Sequence, residues 1–204
     1  MPQKLDGSTP SAPSSARDID ALDQGKVGRV RPHPDRAEWD PARADKVAAM
    51  PRKIASSTTV ERDELLEFAR ARHHVIVMTT RADGTVQASP VSAGIDPQGR
   101  VVVATYPQRA KVANARRHPV GAALFLSDDW NGPWAQVSGR LEVVDLPDAV
   151  EPLVDYYRAI AGEHPDWDEY RQAMVDQGKC LLRLTIHGWG PIATGGFPAH
   201  LGDT

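Results

Sequence analysis

Cysteine is almost missing from this chain: there is one in 204 residues, Cys180. An internal disulfide is excluded, and the apolar run Cys180-Leu181-Leu182 marks the thiol as a small buried hydrophobe rather than a nucleophile. Long apolar runs are missing as well. Nothing approaches the ~20 residues needed to span a bilayer, and residues 1–15 lack the basic-then-apolar pattern of a secretory leader. The expected location is the cytoplasm, with no membrane partner. No single charge dominates either, since 24 Lys and Arg stand against 27 Asp and Glu for a net charge of -3. That balance supplies no bulk positive field to recommend nucleic acid.

The usual catalytic constellations are also absent. Seven histidines are present, but His73 and His74 are adjacent and would point to opposite faces of a strand, while His164 and His187 lack a nearby His or Cys. No metal site is expected. Ser89 and Ser138 sit in strand-like stretches without the Gly-x-Ser-x-Gly turn that activates a nucleophile. Asp166, Asp168 and Glu169 resemble an acid pair, yet acidic residues at a helix start are what the helix dipole favours.

What is present reads as one domain with an appendage. Residues 1–57 hold seven of the seventeen prolines and a single aromatic, Trp39, too little apolar surface to offset the entropy of ordering. A largely disordered tail is expected there, with Trp39, Val47 and Met50 as possible points of docking. Thr58 and Glu61 make a capping box for a helix running to about Arg72. Strands follow over 74–81 and 85–95 around the hairpin signal Asp83-Gly84, then over 100–106, 120–127 and 134–146. Helices are expected from Pro147 to about Gly162 and from Pro165 to Gly178, and a last alternating strand over 179–187 should return to close the sheet. Six antiparallel strands with short turns predict a barrel with peripheral helices, over 58–188. The end, 189–204, is a glycine-rich extension with no room for the helix that a dinucleotide fingerprint requires.

Val101 to His118 organises this plan. It reads as a buried strand, a proline turn, and a short helix with Arg109 and Lys111 in its first turn. A helix start offers unpaired backbone N–H groups and a positive dipole end, so these cations with Thr105 at the strand exit would form a socket for a phosphate. Charged residues at such a place are more often simply solvated. Cations there oppose the dipole unless an anion is bound, whereas Arg116 and Arg117 in the last turn are favourable on structural grounds alone. Trp130, Trp134 and Gln136 lie on a hairpin, and the tryptophans read equally well as core or interface filling and as a wall against a planar ring.

With these residues in view, the chain over roughly 59–186 resembles the split-barrel flavin and deazaflavin oxidoreductases, the superfamily that includes pyridoxamine 5'-phosphate oxidase. The likeness is carried by Asp83 to Ser89, by Arg109-Ala110-Lys111 with Asn114, Arg116 and Arg117, and by Gln136 to Gly139. Tyr157 to Met174 looks like the actinobacterial branch that binds the deazaflavin coenzyme F420. The resemblance implies a mainly β, α+β split barrel of the FMN-binding type, and a homodimer with two cofactor sites, each built by both chains. It implies that Arg109 and Lys111, beside Thr105, hold the cofactor phosphate. Gln87, Ser89 and Val91 would pass the ring's polar edge, and Gln136 and Trp130 would approach from the other subunit. Where true pyridoxamine phosphate oxidases carry an Arg and a Lys on the second strand, this chain has Ala88 to Gly94, which disfavours vitamin B6 oxidation.

The function so implied is an F420-dependent reductase delivering hydride to a planar conjugated small molecule. The alternatives are an FMN-binding relative of pyridoxamine 5'-phosphate oxidase, and a protein that carries a cofactor or tetrapyrrole without turnover. A cofactor with its own redox chemistry asks the protein mainly for position and exclusion of water, so the missing catalytic constellation is expected.

Overall fold

The computed structural model describes residues 53–201. Trp39, Val47, Met50 and nearly all of the proline-rich tail lie outside the described residues. The body is a curled antiparallel sheet of seven strands with helices against it, a split barrel of mixed β and α content. Its strands are β2 (His74–Thr80), β3 (Val86–Ser92), β4 (Gly94–Ile95), β5 (Val101–Thr105), β6 (Val120–Phe125), β7 (Ala135–Val144) and β8 (Cys180–Trp189), in the order β3-β2-β6-β7-β8-β5-β4.

Seven strands rather than six result from a break in the stretch expected to run unbroken over 85–95. β3 pairs with β2 at one edge of the sheet, while β4 pairs with β5 at the other. The chain crosses between the edges at Ala93, which is fully buried and donates to His73 O at 3.0 Å. Gly94 is required there: a Cβ would sit 2.7 Å from that of Ala159, on the helix packed over the bend. This covalent crossing, not the last strand, joins the two edges. β8 lies in the middle, between β7 and β5.

Four helices complete the body: α1 (Arg62–Arg70), α2 (Ala110–Arg117), α3 (Val150–Ala161) and α4 (Trp167–Asp176). The capping box of α1 is formed by Glu61 and Glu64 instead of Thr58 and Glu61. Thr58 is otherwise engaged, because β1 (Ser56–Thr58) pairs with β9 (Ile192–Thr194) as a separate two-stranded ribbon. The glycine-rich end is thus drawn back onto the body, and Trp134 and Ala193 exchange backbone hydrogen bonds of 2.9 and 3.0 Å. Asp166 caps α4 by accepting from the amides of Asp168 and Glu169, so its carboxylate is spent on structure.

The core has two compartments. Val75, Val77, Val101, Val103, Ala123, Phe125, Val137, Leu182 and Leu184 fill the inside of the curl, closed by Leu65 and Leu66 of α1. On the outer side of β5 and β8, Val102 and Leu181 pack with Leu153 and Val154 of α3 and Tyr170 and Met174 of α4. Strands buried on both faces need apolar residues at every position, which explains the unbroken runs at 101–103 and 180–182. Burial pushes the Tyr170 hydroxyl up to about 12, and it donates to Leu153 O at 3.1 Å, tying α4 to α3. Cys180 is fully buried, and burial raises its thiol, so it is the inert hydrophobe expected. No helix among the described residues is long and apolar enough to cross a membrane.

Candidate functional site

The helix α2 starts as the sequence predicts. Arg109 is its N-cap residue, in extended backbone, and no side chain caps the turn. The first turn contains no acidic residue, so the positive end of the helix meets two cations and no built-in anion. A third cation stands beside them. The turn residue Tyr106 has the Arg109 guanidinium 5.8 Å from its ring centre, and Lys179 Nζ 3.9 Å from it. Lys111 is half-buried, and its ammonium is held below the ordinary lysine value by burial first and by Arg109 second. Among the described residues, none of these three cations has a carboxylate partner.

Sequence reasoning did not find Lys179. It comes from the turn after α4, far along the chain, and reaches Tyr106 because Thr105 pairs with Cys180 in the β5–β8 ladder. That pairing also places Thr105: it is 5 % exposed, so its hydroxyl is not offered to an open socket. Arg116 leaves the group for Asp145, its Nη2 donating to both carboxylate oxygens at 2.6 and 2.8 Å, a structural role as expected for the last turn.

Gln87, Ser89 and Val91 alternate along β3 and are opposed by Thr79, Val77 and Val75 of β2, so they share the inner face of the curl. They stay half-exposed because β3 is an edge strand. Gln87 Nε2 donates to Ser89 Oγ at 2.8 Å, and its Oε1 accepts from Thr79 Oγ1 at 2.9 Å. Thr79 in turn accepts from Asn114 Nδ2 of α2 at 3.0 Å. Thr79 and Asn114 are 2 % and 5 % exposed, a buried polar pair riveting the cation-bearing helix to the strand that carries Gln87 and Ser89. Asparagine in mid-helix, an unfavourable residue there, was the available signal for this pair.

Trp130 and Gln136 go elsewhere. Gln136 is opposed by Leu124, and Leu124 by Ile76, which places it on the outer face, away from Gln87 and Ser89. There it lines a pocket of about 420 Å³ with Leu124, Leu126, Trp130, Trp134 and Gly195. Trp130 is 88 % exposed. The loop of Trp130 is tethered by Lys53, whose ammonium donates to Asn131 O. A second pocket of about 370 Å³ adjoins it through Leu126 and includes Ile76, Pro90 and Val91. One chain therefore brings Arg109, Lys111, Gln87 and Ser89 to one side and Trp130 and Gln136 to the other.

A family model described as pyridoxamine 5'-phosphate oxidase matches residues 61–192. The chain belongs to that family. The match spans α1 to the start of β9, taking in both the cation cluster and β3. Solved structures agree on the fold. A conserved hypothetical protein, Rv2991 from Mycobacterium tuberculosis, is 19% identical with a TM-score of 0.56, covering 69% of this chain and 89% of that one. A proposed 5-nitroimidazole antibiotic resistance protein from Bacteroides thetaiotaomicron is 12% identical, also at 0.56, covering 71% and 92%. An F420 reductase is 17% identical at 0.47, covering 61% and 94%. The first two likenesses speak to the fold alone. The family takes its name from an oxidase.

Proposed function

We propose that this member of the pyridoxamine 5'-phosphate oxidase family is an F420-dependent reductase that passes hydride to a planar conjugated small molecule. The observation that carries the reading is the cluster of Arg109, Lys111 and Lys179, three cations without carboxylate partners among the described residues. Gathering like charges and half-burying one of them costs stability, and a bound phosphate would reverse the sign of that cost. The residues present fit a phosphorylated ring cofactor. Arg109 and Lys111 would take its phosphate with the free amides of α2, and Gln87 and Ser89 would meet the ring's polar edge. The deazaflavin supplies the hydride when bound. The chain's own part is to fix the phosphate, orient the ring against β3, and shield it from water.

The choice of F420 over FMN leans on Tyr157 to Met174, the stretch that resembles the F420-binding branch. In the folded chain Tyr157, His164, Trp167 and Tyr170 form one cluster, with every ring centre 4.9–5.8 Å from the others. The reading includes a homodimer. Trp130 and Gln136 face away from Gln87 in their own chain, so they would serve the site of a second copy. Absorbance titration of the purified protein with each cofactor tests the proposal. Saturable binding of F420 is expected; saturable binding of FMN with none of F420 would replace the leading reading with the flavin one.

A further inference from the structure

The hydrogen bonds between α2 and β3 all run in one direction, and both ends fix that direction independently. At one end Arg117 Nη1 lies 3.3 Å from the side-chain amide of Asn114. A guanidinium can only donate, so the facing atom is Oδ1, and Nδ2 must point to Thr79. At the other end the Gln87 amide lies 3.0 Å from Ala88 O, which can only accept, so the facing atom is Nε2 and Oε1 must point to Thr79. Between them the Thr79 hydroxyl accepts from Asn114 and donates to Gln87. Gln87 Nε2 then donates to Ser89 Oγ at 2.8 Å. The Ser89 hydroxyl, already an acceptor, donates to none of the described residues and so keeps its hydrogen for a group beyond them.

We propose that Arg117, Asn114, Thr79 and Gln87 form a polarised relay that presents Ser89 as a hydrogen-bond donor to a negatively charged, acceptor-rich edge of the bound cofactor ring. Each link increases the polarity of the next, and the chain starts on a cation, so the last O–H is a better donor than an isolated serine. Two of its members are buried, where a hydrogen bond is stronger and a wrongly aimed one is costly. The ligand class follows. Reduced flavins and deazaflavins gather electron density on the pyrimidine edge, so such a donor favours the reduced ring over the oxidised one. Thr79, Asn114 and Arg117 are positioning residues, acting through Gln87 on Ser89. Arg117, which the sequence assigns to helix stabilisation alone, gains a second task.

The inference rests on the cofactor reading above, and its test separates the two. Affinities for oxidised and reduced F420, and for oxidised and reduced FMN, are measured by anaerobic titration. Thr79→Val keeps the side-chain shape and removes both hydrogen bonds. It is expected to lower the ratio of reduced to oxidised affinity about tenfold, equivalent to about 30 mV for a two-electron couple. Ser89→Ala should do the same, the double variant should go no further, and Thr79→Ser should restore the wild-type ratio. Arg109→Ala, by contrast, should weaken both redox forms equally, because both carry the phosphate. If Thr79→Val weakens both forms equally or neither, the relay is overturned while the cofactor reading stands. If Thr79→Val does not fold, Ser89→Ala decides alone, and an unchanged ratio overturns the proposal. Wild-type protein that binds neither cofactor overturns both.

Discussion

The two halves of the sheet are built on different terms. β5 and β8 are sandwiched: Val101, Val103, Leu182 and Leu184 point into the curl, and Val102 and Leu181 point out into α3 and α4. β2, β6 and β7 are buried on the inner side only. Their outward positions include Ile76, Met78, Ala122 and Leu124, which no described helix covers and which remain half-exposed. β2 and β6 share the near-continuous apolar code of β5, whereas β7 alternates with Gln136, Ser138, Arg140 and Glu142 outward; only β5 and the start of β8 find a second layer among the described residues. A face composed for two-sided burial and lacking its cover is where the proposed second copy would sit.

The largest expected effect sharpens that contrast. Leu153→Ala, at a fully buried position of the sandwiched half, should cost about 2–5 kcal/mol in urea denaturation, at any protein concentration. Leu124→Asp, on the uncovered face, should act through assembly instead. The wild-type Tm is expected to rise with protein concentration, and the variant to lose that dependence. A wild-type Tm that ignores concentration would break the comparison.

Next in size are the cations. Arg109→Ala and Lys111→Ala should each weaken cofactor binding by about 1.5–3 kcal/mol, the scale of hydrogen bonds to charged groups. Unchanged affinity in both variants would remove the phosphate site. Binding should also depend on pH in a fixed sense. Lys111 titrates below the ordinary 10.5, and an anion favours its charged form. Affinity is therefore full while Lys111 is protonated and declines as pH rises through that lowered pKa. Lys111→Arg, charged throughout, should flatten the profile in the same titration.

The smallest effect concerns the start of α1. Glu64→Ala, which removes half of the observed capping box, should cost about 0.5–1 kcal/mol of stability, and a comparable loss is not expected from a cap at Thr58. Equal effects at Thr58 and Glu64 by thermal unfolding would restore the box read from sequence.

That misplaced box shows where the sequence was legible and where it was not. Thr58 and Glu61 satisfy the local pattern better than Glu61 and Glu64 do, and the competitor for Thr58 is Ile192, far along the chain. The helix at 110–117, the pairing of 74–80 with 86–92, and the buried character of Cys180 were readable because each depends on neighbours within a few residues. Lys179 was unreadable as a partner of Arg109, since only the β5–β8 register brings it to Tyr106. Thr79 gave no signal of its own, because its role needs Asn114 from one direction and Gln87 from the other.

By itself the sequence determined most of the elements, the antiparallel sense of their pairing, and the presence of two cations at a helix start. Periodicity, turn chemistry and capping act over a few residues and leave their mark on composition. The tertiary structure decided which strand lies in the middle, where the chain crosses from one edge to the other, and which polar groups meet in the interior. Those outcomes depend on register and packing between segments far apart in the chain, where one close approach such as that of Gly94 to Ala159 selects among arrangements that local preference leaves equal.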